Sequence, residues 1–236
     1  MSDFSYRLDA DDPDLCPMGL IVLEADETLE GDMRSVFAHD PTPIYVSRIA
    51  SAPEVTPETL AAMADDLSAA ARLLPKARPY RVVGYGCTSA SSIIGSDEVA
   101  RLVKRTCNAT EVTNPLRAAI ACTQARNVSR LALLSPYIET VSAPLRTAFA
   151  AAGISTDVFG SFGEAEEAKV VRISKGSIVE AACALGQHSD VEGVFLSCTN
   201  LRTLAAIPEI EQRIGKPVLS SNQALAWHMK MLNTPA

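Results

Sequence analysis

Apolar residues along the chain fall into two rhythms. Short runs rich in Val, Ile and Leu occur at 18–23, 43–49, 80–85, 110–113, 130–135, 154–159, 193–197 and 217–220. None alternates cleanly with polar residues, which predicts parallel strands buried on both faces. Between the runs, at 57–75, 96–107, 114–126, 139–153, 174–186 and 222–232, apolar residues recur three and four apart and predict helices. Thr56-Pro57 is a start signal, and Gly153 and Gly186 are stops. Pro144 inside the fourth helical pattern predicts a kink or a later start. Strand–helix alternation defines an α/β fold. In open parallel sheets ligands gather outside the carboxyl ends of the strands.

Two strand ends stand out. Residues 82–95 read VVGYGCTSASSIIG and residues 194–204 read VFLSCTNLRTL, so each strand runs out into Cys-Thr. Their separation is close to half the chain, which predicts two similar halves meeting face to face, each delivering one cysteine. The spacing puts the division near Thr113: an N-terminal α/β half over 1–113, with 220–236 packing back on it, and a C-terminal half over 114–219.

Composition narrows the setting. The chain has 236 residues, enough for one large core or two small domains. Its 47% apolar share, much of it alanine, with 21% charged residues fits a globular protein. A net charge of −7 without a basic run argues against nucleic acid as a partner. The acidic start lacks an apolar segment of the signal-peptide kind, and no run of about 18 apolar residues offers a membrane span. The expected setting is therefore cytoplasmic. No pair of the six cysteines has CxxC spacing and the three histidines are scattered, so a zinc site is not expected. Cys107, Cys122 and Cys183 fall in helical patterns and read as core, and Cys16 as incidental.

Cys87 and Cys198 carry the candidate chemistry. Thr88 and Ser89 follow the first, and Thr199 and Asn200 the second. Hydroxyls and amides in such loops can cradle a carboxylate, and their partial positive charge would lower a thiol pKa. Thiols facing each other across a cleft suit proton removal from one face of a carbon and return on the other, a racemisation or epimerisation. Alternatively one thiolate adds to a double bond, permits rotation and is expelled. A third reading is a two-lobed protein that binds a metabolite without turning it over. Gly84-Tyr85-Gly86 is no dinucleotide fingerprint, because Ser89 stands at the third glycine position.

GYGCTSASSIIG, LLSPYIETV, FLSCTNLRTL and PVLSSNQALAWH, in that order, resemble the aspartate/glutamate racemase superfamily, in its maleate cis-trans isomerase and arylmalonate decarboxylase branch. The resemblance spans nearly the whole chain from Met18. It implies two Rossmann-like halves related by a pseudo-dyad, a cleft between them, and neither cofactor nor metal. It makes Cys87 and Cys198 the catalytic pair, with Thr88, Ser89, Tyr137, Thr199 and Asn200 holding a small carboxylate or amino-acid-like substrate. Decarboxylases of the superfamily carry glycine at one of the two cysteine positions, so the pair here favours an isomerase or racemase. A homo-oligomer fits such a fold, though no interface is legible. Where maleate isomerases resemble one another in substrate-binding asparagines, this chain has Asp26 and Glu167, the latter ahead of Arg172. Such acids would repel a second substrate carboxylate and suit an ammonium or amidinium; the alternative is that both are solvated loop residues. The wording Asp-Glu-Thr-Leu-Glu near the first strand resembles an ectoine-utilisation subgroup described as isomerase- or racemase-like.

Overall fold

The computed structural model describes residues 3–10 and 15–234, so part of the acidic N-terminal lead lies outside the described residues. Its elements run β1 (Met18–Leu23), α1 (Leu29–Val36), β2 (Ile44–Ile49), α2 (Pro57–Arg72), β3 (Tyr80–Gly86), α3 (Thr88–Ile94), α4 (Ser96–Lys104), β4 (Ala109–Thr113) and α5 (Pro115–Ala125). They continue through β5 (Leu131–Ser135), α6 (Glu139–Ala151), β6 (Phe159–Ser161), α7 (Glu167–Val170), α8 (Lys175–Gly186), β7 (Gly193–Leu196), α9 (Ile207–Ile214), β8 (Val218–Ser220) and α10 (Ser221–Asn233).

The strands form two four-stranded sheets in the orders β2-β1-β3-β4 and β6-β5-β7-β8, parallel throughout. The second order repeats the first, strand for strand. β3 and β7 therefore hold equivalent places, and each ends one residue or two before a Cys-Thr. That is the α/β architecture the alternation of strands and helices predicts.

The absence of alternation in the strands follows from burial on both faces. In β1, Ile21 points into a core shared with Leu60, Met63 and Leu67 of α2 and Val99 of α4. Leu20 and Val22 point the other way, onto Leu29 and Met33 of α1 and Leu225 and Met229 of α10. The second sheet repeats the pattern. Leu134 and Leu196 meet Ile178 and Val179 of α8, while Leu133 and Phe195 meet Leu116 of α5 and Leu145 and Phe149 of α6. Burying a side chain of this size stabilises by about 1.5–3 kcal/mol.

Start signals read from the sequence are used. Thr56 and Thr59 form a reciprocal capping box at α2, with Pro57 at the first position. Three expectations differ. Residues 154–158 are not a strand: only Ser155 pairs, in an isolated bridge with Arg130, and β6 begins where the run was expected to end. Helix α6 starts at Glu139 with Pro144 inside it, so the proline does not mark the start. Helices α1, α3, α7 and α9 were not among the expected elements, each spanning eight residues or fewer. Among the described residues no helix is long and apolar enough to cross a membrane.

Candidate active site

The loops after β1, β3, β5, β7 and β8 converge at the carboxyl ends of the two sheets, where open parallel sheets place ligands. Cys87 follows β3 directly and is the N-cap of α3, its Sγ accepting the Ala90 amide at 3.4 Å. The strand ends in glycine because a Cβ at Gly86 would overlap the Leu29 side chain. Cys198 follows β7 with φ +95°, a left-handed conformation that costs a non-glycine residue about 1–3 kcal/mol. Bonds from neighbours hold it there. Its amide donates to Ser221 Oγ at 3.0 Å, and its Sγ lies 3.0 Å from the Tyr137 hydroxyl.

Both cysteines line one narrow cleft, together with Thr88, Ser89, Tyr137, Glu167 and Thr199. Its other wall is apolar, built by Leu23, Val55, Leu60 and Met63. A strap joins the halves over it: the Val55 amide donates to Ala165 O at 3.0 Å and the Glu167 amide to Pro53 O at 3.1 Å.

The structure thus brings Cys87, Cys198, Thr88, Ser89, Tyr137, Thr199 and Glu167 to one cavity. Asp26 and Asn200 stand behind it. Asn200 Oδ1 accepts the Glu27 amide at 2.9 Å, and its Nδ2 donates to Glu167 Oε2 at 2.8 Å. Asp26 Oδ1 accepts the amides of Thr28 at 2.8 Å and Leu29 at 2.7 Å. Its buried Oδ2 has no hydrogen-bond partner, since the nearby Thr199 hydroxyl donates to Gly86 O instead. Neither acid is a solvated loop residue: Asp26 is 2% exposed and Glu167 4%. Arg172, by contrast, is exposed and does not line the cleft. Cys107, Cys122 and Cys183 are buried core thiols, and Cys16 is half-buried. Among the described residues no group of three or more His, Cys, Asp or Glu is placed to hold a metal ion.

The electrostatics reverse one expectation. Donors around the cysteines were expected to lower their pKa values. Burial instead pushes Cys87 up to about 12, helped by the charges of Glu167 and Asp26 and only partly offset by the Ala90 and Ser89 amides. Cys198 is raised well above the ordinary thiol range, by burial first and then by Glu167. The carboxyls of Asp26 and Glu167 are themselves raised by burial, against the hydrogen bonds they accept. Desolvation dominates because a charge taken out of water loses more than two or three donors restore. Both thiols therefore rest protonated at neutral pH.

Sequence reasoning missed Ser221. Its Oγ accepts both the Thr88 hydroxyl at 2.8 Å and the Cys198 amide, so it joins the two cysteine loops. Its place directly after β8 was the available signal, since open parallel sheets gather ligands at the carboxyl ends of their strands.

Paired sheets with strand ends facing each other, each supplying a thiol to one buried cleft, define an α/β enzyme whose chemistry runs on cysteine. The chain belongs to the arylmalonate decarboxylase family, whose model matches residues 18–235. It is 32% identical over 176 residues to the arylmalonate decarboxylase of Bordetella bronchiseptica, covering 73% of each chain. Among solved structures it resembles the maleate isomerase of Pseudomonas putida in a mutant with maleate, at TM-score 0.82 and 22% identity over 93% of both chains. It is equally similar to a Nocardia farcinica maleate cis-trans isomerase mutant with a covalently bound succinylcysteine intermediate, at TM-score 0.82 and 22% identity over 92% of both chains. A liganded mutant of arylmalonate decarboxylase follows at TM-score 0.79 and 25% identity, covering 93% of this chain and 94% of the other.

Proposed function

We propose that the protein is a cofactor-independent racemase or epimerase that moves a proton between the faces of a small carboxylate bearing nitrogen, with Cys87 and Cys198 as the two proton-carrying groups. The observation that carries this reading is the presence of both thiols in one buried cleft, each after the equivalent strand of its half. One thiol takes the substrate proton as a transient thiolate and the other returns a proton to the opposite face. Thr88, Ser89 and Thr199, which line the cleft, would meet the substrate carboxylate, while Asn200 stands behind it and holds Glu167. The Asp26 and Glu167 carboxyls make the site unfavourable for a second anion and favourable for an ammonium or amidinium. An amino acid derived from ectoine or hydroxyectoine is the substrate class we favour, from the resemblance of the segment Asp26–Glu30. Incubation in heavy water with a panel of chiral amino acids tests the reading. Deuterium at a stereocentre with loss of optical purity is the expected result, and optical purity retained across the panel would overturn it.

A second reading has its own support in the succinylcysteine intermediate of the Nocardia farcinica relative. Here Cys87 would add to the double bond of a cis-dicarboxylate and Cys198 would deliver the proton. Conversion of maleate to fumarate with a trapped adduct on Cys87 would favour it. Two buried carboxyls beside the cleft argue against a dianion, and the paired cysteines argue against decarboxylation.

A further inference from the structure

We propose that Glu167, acting through the Tyr137 hydroxyl, is the proton reservoir of Cys198. This rests on the two-thiol function proposed above. The three groups form an unbroken line: the Tyr137 hydroxyl donates to Glu167 Oε1 at 2.5 Å, and the same oxygen lies 3.0 Å from Cys198 Sγ. Asn200 Nδ2 holds the second Glu167 oxygen at 2.8 Å, which fixes the carboxylate on the line. All three members are buried, each 4% exposed.

A phenol hydroxyl can accept one proton while donating another. The thiol proton passes to the Tyr137 oxygen as the tyrosine's own proton passes to Glu167. Thiol, phenol and carboxylate become thiolate, phenol and carboxylic acid. One S–H bond breaks, one carboxyl O–H bond forms, and the charge of the buried site is unchanged. Losing the proton to solvent would instead place a second negative charge beside Glu167, in the environment that already holds the thiol protonated. The reverse passage returns the proton once Cys198 has given its own to the substrate.

The other ionisable groups facing this line are Cys87 from the end of β3 and Asp26 from the loop after β1, with Arg48 interacting with Asp26 from β2. None is hydrogen-bonded to Tyr137. Cys87 has no equivalent line: Tyr85 lies within hydrogen-bond reach of it, but the Tyr85 hydroxyl leads on to Met63 Sδ at 3.7 Å and not to a carboxylate. The two thiols are therefore unequal: one has an internal proton store and the other does not.

Alkylation by iodoacetamide, resolved by peptide mass spectrometry and followed against pH, tests this without a substrate. In the parent protein the Cys198 rate should form a plateau across neutral pH, because the internal transfer exchanges no proton with solvent. Glu167→Gln and Tyr137→Phe should each abolish the plateau. Cys198 should slow roughly tenfold at neutral pH and then climb about tenfold per pH unit. Removal of a neighbouring negative charge alone predicts the opposite sign, since it lowers a thiol pKa. Faster or unchanged alkylation of Cys198 in folded Glu167→Gln overturns the proposal, as does an unaffected plateau in Tyr137→Phe. Cys87 serves as the internal control and should speed up in Glu167→Gln. An inactive substrate panel alongside a lost plateau would sink the racemase reading and leave the relay standing. An active panel with unchanged alkylation would do the reverse.

Discussion

Thr199 donates its hydroxyl to the carbonyl of Gly86 at 3.1 Å, so the residue after one cysteine is fastened to the residue before the other. Both groups are buried, and the bond crosses from the second half of the chain to the first. The distance between the two thiols is set here rather than by either sheet alone. Replacing Thr199 by Val keeps the shape and leaves the Gly86 carbonyl without this donor. The expected cost is about 1–3 kcal/mol of stability by urea denaturation. Turnover should fall by more than that stability loss explains at temperatures where the variant stays folded, and unimpaired turnover would show that this bond does not set the site.

Ser221 makes a second cross-link, accepting the Thr88 hydroxyl and the Cys198 amide. Ser221→Ala strands the buried Thr88 hydroxyl and the buried N–H of Cys198, whose backbone is already in a left-handed conformation. We expect a loss of about 1–3 kcal/mol, with Ser221→Thr recovering most of it because the acceptor remains. Equal denaturation midpoints for the Ala and Thr variants would mean that volume, not the hydroxyl, matters at this position.

How far these links were legible depends on what each element buries. The strands β1, β3, β5 and β7 could be read because parallel strands covered on both faces are unbroken apolar runs. β6 could not, since it is a three-residue edge strand paired only with β5, and the apolar run before it packs as a loop. Helix α3 was read as a loop because its small residues Thr88, Ser89, Ala90 and Ser91 are all buried, leaving no exposed face to create periodicity. The cysteines, the donors beside them and Tyr137 could be placed because the strand-end rule and the family resemblance act on local sequence. Burial could not be placed in the same way. Nothing local to Asp26 or Glu167 tells that each is enclosed, and the upward shift of both thiols follows first from the thiols' own enclosure and then from these two charges.

The same enclosure gives a pH signature. The Asp26 carboxyl is raised in the folded protein, burial outweighing the Leu29 and Thr28 amides. A carboxyl whose folded pKa lies above its unfolded value binds protons more tightly when folded, so stability falls as pH rises through that interval. The interval opens at the ordinary aspartate value of about 4 and closes at the higher folded value. Asp26→Asn keeps an oxygen to accept the two amides and removes the titration. Urea midpoints measured at a series of pH values should therefore drop less steeply with rising pH in Asp26→Asn than in the parent. Parallel curves would mean that Asp26 titrates alike in both states.

The cysteine pair supplies the most direct prediction. Cys87 and Cys198 are only 5% and 4% exposed, and both rest as thiols. Serine is nearly isosteric, so Cys87→Ser and Cys198→Ser should leave far-UV circular dichroism unchanged. A serine hydroxyl is a far weaker acid than a thiol and cannot carry the transferred proton at neutral pH. Each variant should lose roughly 10²–10⁴-fold in turnover, the range for removing one positioned acid or base. The single variants should also differ in what survives. With one thiol left, proton exchange into substrate from that face can persist while inversion cannot. Deuterium entering without loss of optical purity in either variant would identify the face each thiol serves. Inversion at the parent rate in either variant would end the two-thiol scheme.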